Sequence, residues 1–491
     1  MHTAPGRTSY RVTFAVLAVG VAAFALLQSL VIPVLPTIQS SLGATQTDVT
    51  WVLTGYLLSA SIFTPIMGRL GDMYGKKRFF VVALAALAAG SLLAALATAL
   101  PVMVVARVIQ GVGGGVLPLT FGIIRDEFPK EKVPGAVGMV AALTSVGAGL
   151  GTIIAGPIVD VLSYHWLFWI PLIMTTIAGV SAHFLIPESR VRTEGQVNWI
   201  TAFLLSAWLV ALLLAVSQGP TWGWASPRVI GLLVTAVVVL VIWIFAESRS
   251  SNPLIDMKMM RIRTVWTANL VALLIGFGLF AALGFVPQFL QTQSSAGYGF
   301  GASITQSGLM MLPNTVAMFV FGLGAGWLAA HFGSKNLLIA GAAISSVGYF
   351  YVAFQHSTEL DIYIAMSFTG IGLGLAFSAM ANVVVAAVPP EQTGVASGMN
   401  ANVRTIGGSI GAALMATVVT AGASPSGLPQ ESGYTNGFIM LGGVVAIGAV
   451  AAMFIPKIKR DNKTGVEKSA DLSHAELAMV AGGTLAGDES E

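Results

Sequence analysis

The chain has 491 residues, of which 55% are hydrophobic and 9% are charged, with a formal net charge of +3 and a mean hydropathy of +0.83. A soluble domain carries about 25% charged residues, so this composition excludes a protein surrounded by water and indicates one surrounded largely by lipid. The absence of cysteine excludes disulfides, thiol nucleophiles, zinc–cysteine sites and iron–sulfur clusters.

Fourteen apolar runs are each long enough to cross about 30 Å of hydrocarbon. The weakest divisions between them are the tight turn at Pro101 and the long run 134–161, so thirteen spans is the alternative. The first run follows two basic residues and has no small-residue cleavage site, so we expect a retained span rather than a signal peptide. The predicted spans are 11–36, 50–69, 79–100, 102–124, 134–161, 166–186, 198–217, 228–247, 264–290, 304–330, 336–355, 361–388, 393–422 and 436–456.

Basic residues predict the orientation of these spans, because cytoplasmic segments are enriched in lysine and arginine. With the N-terminus inside, Arg228 falls in an outside loop, and Arg107 and Arg404 lie within spans. Every other lysine and arginine, from Arg7 onward, falls on the cytoplasmic side. An even number of spans places both termini in the cytoplasm, and we expect the polar segment 457–491 to be a disordered tail.

The loop after the second span runs from Gly68 through Asp72 and Gly75 to Arg78 and contains a cluster of basic residues. Its lysines and Arg78 need no explanation beyond the orientation rule. Asp72 does, because it follows the C-terminus of a helix, where the helix dipole disfavours an anion. We expect its partner to be a neighbouring arginine or lysine, or the N-terminus of a helix in the other half, and such a contact would latch one conformation.

Two arginines lie inside spans, where a central arginine costs roughly 2.5–3.5 kcal/mol. Arg107 shares a helical face with Gln110 and Gly111, so we expect the two polar side chains to lie together beside a groove of glycines. Snorkelling of Arg107 to the outer interface is the alternative. Arg404 lies deep in span 13 on the face of Asn400, so we expect it to face a central cavity or a gating network rather than to have a purely structural role.

Span 5 carries small residues at a spacing that lets a helix approach its neighbour closely. One interpretation is a specific contact with a helix of the other half, and the other is generic packing of small residues. The residues concerned are Gly138, Gly147, Gly151, Gly156 and the following Pro157.

An internal repeat relates the first and last parts of the chain, a pattern typical of membrane proteins built from two halves. Three matching pairs are separated by nearly the same number of residues: 68–77 with 326–335, 110–113 with 369–372, and Gly135 with Gly394. Two six-span halves then flank a central pair of spans at 198–247.

This organisation resembles the fourteen-helix drug:proton antiporter branch of the major facilitator superfamily. The resemblance covers 12–456 and rests on the four motifs above, with further similar stretches at 51–56 and 252–256. It implies an all-α polytopic membrane protein with the major facilitator fold, in which two six-helix bundles flank a central two-helix hairpin. The implied domains are an N-terminal bundle at 1–197, the hairpin with its cytoplasmic linker at 198–263, a C-terminal bundle at 264–456 and the tail at 457–491.

The resemblance also implies roles for the motifs. It makes 68–78 a gating loop with Gly68, Asp72, Gly75 and Arg78 as its functional residues. In this branch the span-4 arginine is implicated in proton transfer, which assigns Arg107, Gln110 and Gly111 to proton coupling. The span-13 stretch around Arg404 also resembles the branch, and Arg404 is placed with them as a residue of proton coupling or of the cavity. The span-5 glycines match the antiporter motif, but Thr152 replaces its proline, Ala155 replaces a glycine and Pro157 is displaced.

One departure concerns charge. The branch usually has an aspartate in span 1, where the corresponding stretch of this chain is Leu26-Leu-Gln-Ser-Leu30, and no acidic residue lies deep inside any predicted span. An intramembrane carboxylate is the usual way to hold a proton or a lipophilic cation, so we expect anionic, zwitterionic or neutral compounds to suit the chain better. Polar candidates for a largely apolar cavity, each of which could instead have a structural role, are Gln28, Asn269, Gln288, Asn314, Asn382 and Asn400.

The resemblance implies a secondary active transporter of the bacterial plasma membrane that exports hydrophobic drugs or antibiotics by alternating access, in exchange for protons. The alternative is a dedicated exporter of one metabolite, peptide or self-made antibiotic. The expected partners are small hydrophobic substrates, protons and membrane lipids, and the expected energy source is the proton gradient. We expect no cofactor, metal, nucleotide or nucleic acid, and a functional monomer.

Other classes fit the sequence poorly. The stretch 71–77 is one residue too short for a phosphate-binding loop and lacks its serine or threonine, which disfavours ATP-driven transport. The six histidines are scattered and no catalytic motif is present, which disfavours a membrane enzyme. A sensor or channel is disfavoured because the chain has no large loop or ligand domain.

Overall fold

The computed structural model describes residues 9–44, 46–49, 51–189, 196–294, 297–421 and 429–456. Arg7 and the predicted tail lie outside these ranges. Within them every regular element is a helix, and fourteen helices are long and apolar enough to cross a membrane. In chain order these are α1 (Tyr10–Val34), α2 (Trp51–Tyr74), α3 (Lys76–Ala95), α4 (Leu100–Glu127), α5 (Lys130–Val161), α6 (Trp166–Leu185), α7 (Trp199–Trp222), α8 (Pro227–Arg249), α9 (Arg263–Gln291), α10 (Ile304–Phe332), α11 (Ser334–Phe354), α12 (Glu359–Ala387), α13 (Pro390–Thr420) and α14 (Glu431–Met453).

Both uncertain divisions resolve in favour of fourteen spans. The backbone of Ala99 is extended and a new helix begins at Leu100, with Pro101 in its first turn, where a missing N–H is tolerated. The helix Val133–Val161 is continuous and makes up most of α5. The prediction of fourteen spans is confirmed and the alternative of thirteen is wrong.

The internal repeat of the sequence corresponds to a repeat in backbone conformation. Gly75 joins α2 to α3 with φ +121°, and Gly333 joins α10 to α11 with φ +81°. Residues with a side chain rarely adopt positive φ, so glycine is needed at both turns. The two motif copies therefore build the same reversal of the chain in the two halves.

The two halves pack against each other along two symmetry-related seams. Helix α2 of the first half packs against α13 of the second, and α5 packs against α10. Within the halves, α1 packs on α5, α9 packs on α13, and α12 packs on both α10 and α11. This arrangement leaves space between the halves.

The central hairpin lies beside the α2–α13 seam. Helix α7 packs against both of these helices, while α8 packs mainly on α7 and presents much of its surface outward. The Thr54 and Ser217 hydroxyls are 3.0 Å apart and join α7 to α2. The indole N–H of Trp224, just after α7, donates to the Thr417 hydroxyl of α13 at 2.9 Å. The hairpin thus forms hydrogen bonds with both halves. The domain boundaries given in the sequence analysis remain predictions.

Candidate functional site: a cytoplasmic contact and a central cavity

Asp72, at the cytoplasmic end of α2, joins the two halves. Its carboxylate is completely buried and accepts a hydrogen bond from the backbone N–H of Val395, in α13, at 3.0 Å. The ammonium group of Lys76 lies 3.5 Å from the Asp72 carboxylate and 2.7 Å from that of Asp126. Both expected kinds of partner are therefore present, a nearby lysine and the first turns of a helix in the other half, where unpaired N–H groups attract an anion.

Glycine makes this close approach possible. A Cβ atom on Gly68 would lie 2.6 Å from the carbonyl oxygen of Gly394, and a Cβ on Gly394 would lie 2.8 Å from the Asp72 carboxylate oxygens. Real Cβ atoms essentially never come this close to another heavy atom, so α2 and α13 cannot meet in this way with larger residues. Gly68 therefore belongs to the contact that it was predicted to serve.

A second charged residue crosses between the halves and was not foreseen. Arg125, near the end of α4, donates to the carbonyl of Val385 at 2.5 Å and to the hydroxyl of Thr393 at 2.7 Å. The neighbouring Asp126 accepts from Lys76 and from the Ser189 hydroxyl. From sequence Arg125 was explained by orientation alone, and no local signal distinguished it from other cytoplasmic arginines.

The remaining residues of the gating prediction separate into two groups. Gly75 lies against Glu188, whose carboxylate accepts the N–H of Lys77 at 3.2 Å, so this turn is held within the first half. Arg78 is exposed. The structure thus pairs Asp72 with Lys76 rather than with Arg78.

A cavity lies between the halves on the outer side of the cytoplasmic contact. Its volume is about 130 Å³, which is room for several water molecules. Helices α1, α2, α4, α5, α9, α10, α12 and α13 all contribute to its wall. Most of the lining is apolar, and its aromatic side chains, none of them foreseen from sequence, are Phe24, Tyr56, Phe280 and Phe377.

The predicted polar cavity residues are divided by the structure. Gln28 and Asn314 line the cavity, although Asn314 also donates to the Thr369 hydroxyl at 2.8 Å. Asn400 lines a smaller pocket of about 30 Å³ on the cytoplasmic side and donates to Asn269 at 2.9 Å. The other three candidates are absent from both linings. Asn269 bonds to Asn400, Asn382 donates to the carbonyl of Ser378 on its own helix, and Gln288 is exposed.

Arg107 is completely buried, so the snorkelling alternative is wrong. Its guanidinium donates to the carbonyl of Val52 at 3.1 Å and to the Gln110 side chain at 2.7 Å, and it lies 4.3 Å from the centre of the Tyr56 ring. Gln110 and Arg107 are together as expected, and Gly111 allows α4 to approach α2 at Ser59. Tyr56 lines the cavity, whereas Arg107 lies behind it and is not part of the lining.

Arg404 occupies the wall between the cavity and the smaller pocket, and it lines both. Its guanidinium lies 4.7 Å from the centre of the Phe377 ring. The structure therefore places Arg404 toward the central cavity, which was one of the two expected positions. Among the described residues it is the one charged residue in either lining.

The span-5 residues divide between the two interpretations. Gly138 approaches α12 and Gly156 approaches α10, both in the other half. Gly147 and Gly151 instead approach α1 in their own half, and Pro157 is exposed. The motif therefore combines a contact between the halves with packing inside one bundle.

Comparison with known proteins agrees with this architecture. The family model described as the Major Facilitator Superfamily matches residues 17–412 and 269–481. The chain belongs to this superfamily. Membership makes it a transporter, and with fourteen membrane-crossing helices it is a multi-pass protein of the bacterial inner membrane.

Curated relatives of this superfamily member include several bacterial proteins. It is 29% identical over 378 residues to Multidrug resistance protein 3 of Bacillus subtilis, and this alignment covers 75% of this chain and 72% of that protein. It is 28% identical over 411 residues to the Tetracenomycin C resistance and export protein of Streptomyces glaucescens, covering 83% and 75%. The crystal structure of the human organic anion transporter MFSD10 (TETRAN) has a TM-score of 0.67 at 16% identity, covering 92% of this chain and 100% of that one, and is evidence for the fold alone.

Proposed function

We propose that this transporter exports hydrophobic drugs or antibiotics across the bacterial plasma membrane by alternating access, in exchange for protons. The observation that carries the proposal is the aromatic, largely apolar cavity between the halves, closed toward the cytoplasm by the Asp72 contact. Apolar cavities with few polar groups bind lipophilic molecules with limited selectivity. Relatives named for multidrug resistance support the same function.

In this mechanism the cytoplasmic contact is the gate. For cargo to enter from the cytoplasm, α13 must leave α2, which breaks the hydrogen bond between Val395 and Asp72 and the two that Arg125 makes across the seam. Each hydrogen bond that involves a charged group contributes about 1.5–3 kcal/mol. Together they hold the cytoplasmic side closed until the free energy of cargo binding or of proton transfer offsets them.

Proton coupling is assigned to the region around Arg107. The cavity lining contains no carboxylate among the described residues, so the proton is not held in direct competition with cargo at an acid there. Arg107 contacts Tyr56, which faces the cavity, and Gln110, which donates to Ser91 of α3. A change in the cavity can therefore reach α3 and α4 through these side chains. We propose that the protein works as a monomer in lipid, without a bound cofactor.

A susceptibility panel tests this function. The gene is expressed in a bacterium that lacks its major efflux pumps, and growth inhibition by chemically diverse antibiotics is measured with and without a protonophore. The proposal predicts resistance to several unrelated lipophilic compounds that the protonophore removes. Resistance to a single compound would favour a dedicated exporter, as the name of the Streptomyces relative implies for that protein.

A further inference from the structure

Arg404 has unusually few partners for an arginine inside a membrane protein. Within the described residues its guanidinium forms no hydrogen bond and no ion pair, and it lies 4.7 Å from the centre of the Phe377 ring. Arg107, by comparison, has two hydrogen-bond acceptors as well as the Tyr56 ring. Arg404 is thus a cation whose donors are free to face the cavity.

A guanidinium in this position favours an anionic ligand. It carries five N–H donors in a planar fork that matches the two oxygens of a carboxylate. Stacking on Phe377 contributes about 0.5–2 kcal/mol, but it leaves the N–H groups unsatisfied. Because an unpaired charge is costly at this depth, a ligand that supplies two acceptor oxygens gains more here than one that supplies apolar surface alone.

The smaller pocket beside Arg404 provides a second, independent observation. Ser397 lines this pocket, is 7% exposed, and its hydroxyl has no hydrogen-bond partner among the described residues. Thr144 also lines it, but its hydroxyl donates to the carbonyl of Val140 at 2.9 Å. The volume of about 30 Å³ suits one small polar group. Two unsatisfied donors, on Arg404 and Ser397, therefore border a space of that size.

The larger cavity between the halves, here called the outer cavity, indicates the chemistry of the rest of the ligand. Arg404 is part of its wall, which also includes aromatic side chains on three other helices, Phe24, Tyr56 and Phe280, and contains no carboxylate among the described lining residues. A planar, apolar ring system fits such a wall, and the absence of an acidic side chain gives a cationic ring system nothing to pair with.

We propose that Arg404 and Ser397 bind the anionic group of the cargo, a carboxylate or an ionised phenol or enol, while its apolar rings occupy the outer cavity. This inference rests on the proposed function only in treating the cavity as the cargo site. It assigns the selectivity to Arg404 and not to Arg107, which lies behind Tyr56.

Equilibrium binding to the purified full-length protein in lipid nanodiscs tests the proposal, without any gradient. The probes are nalidixic acid as the anion, its ethyl ester as a neutral analogue of nearly the same shape, and ethidium as a planar cation. We expect the wild-type protein to bind the acid more tightly than the ester, and ethidium most weakly. Arg404→Gln should weaken binding of the acid about 10- to 100-fold, as expected for loss of a charge-assisted bidentate pair, and leave the ester unchanged.

Three further variants keep the test decisive if Arg404→Gln is unstable. Arg404→Lys, which keeps the charge but not the fork, should recover part of the affinity for the acid, and Ser397→Ala should lower it about 5-fold. The matched control Arg228→Gln, at an exposed arginine outside the cavity, should change nothing. Equal affinity of the wild type for acid and ester, no binding of any probe, or equal weakening of acid and ester by Arg404→Gln would each overturn the proposal. Failure of proton-coupled export with the acid preference intact would instead contradict only the proposed function.

Discussion

Two replacements of Asp72 remove its charge and weaken the cytoplasmic contact to different extents. Asparagine keeps an oxygen that can accept the N–H of Val395 but loses the charge, and Lys76 keeps its second partner, Asp126. A charge-assisted hydrogen bond contributes about 1.5–3 kcal/mol and a neutral one about 1 kcal/mol. Asp72→Asn should therefore weaken the closed state by about 0.5–2 kcal/mol, a 2- to 30-fold shift toward cytoplasmic opening. Asp72→Ala leaves a buried N–H unpaired and should weaken it by about 3 kcal/mol, more than a hundredfold.

Spin-label distances measure this shift directly, and the lack of native cysteine makes labelling specific. Cysteines replace Arg78 in α3 and Asn336 in α11, both of which are exposed near the cytoplasmic side. The long-distance population should increase from wild type to Asp72→Asn to Asp72→Ala, and drug efflux should fall in the same order at unchanged expression. Asp160→Asn, at an exposed carboxylate at the outer end of α5, is the matched control. An unchanged distance distribution in Asp72→Ala, or wild-type efflux, would refute the latch.

Other residues give further predictions. Arg107→Ala should remove the response of transport to a pH gradient in proteoliposomes, and an unchanged response would exclude its role in coupling. Gly68→Ala should abolish efflux because its Cβ would lie 2.6 Å from a carbonyl oxygen of α13. The control Gly324→Ala, whose Cβ would meet open space, should be tolerated. Equal efflux activity of the two variants would contradict the close approach of α2 and α13. Trp224→Phe removes the hydrogen bond to Thr417 and should lower the free energy of unfolding by about 1 kcal/mol. The melting temperature should fall accordingly. An unchanged melting temperature would show that the hairpin is held only by apolar packing.

Much of the fold could be predicted because its signals are local. Span length follows from hydropathy and orientation follows from the position of basic residues, and both needed only short windows of sequence. The requirement that Asp72 have a partner also followed from a local argument, the sign of the helix dipole at its end of α2. The turns at Gly75 and Gly333, both with positive φ, likewise fall at equivalent positions of a motif that is repeated in the sequence.

The rest depended on how the halves meet, which no local rule specifies. Whether Lys76 or Arg78 reaches Asp72 depends on the direction in which α3 leaves the turn at Gly75. The contacts of Arg125 join residues more than 250 positions apart in sequence. Asn269 was a reasonable cavity candidate, but α9 and α13 pack so closely that it bonds to Asn400 instead. Aromatic lining residues such as Phe377 carry no signal that separates them from lipid-facing ones.

The central claim, drug export in exchange for protons, is tested most directly in proteoliposomes with an imposed pH gradient. Radiolabelled chloramphenicol, a neutral probe, is added outside vesicles whose lumen is acidic, and its uptake is recorded together with lumenal pH. The account predicts that wild-type protein accumulates the drug while the lumen loses protons, that nigericin abolishes this uptake, and that protein-free vesicles show none. Drug uptake of the same size with and without the gradient, and no proton movement on drug addition, would contradict it.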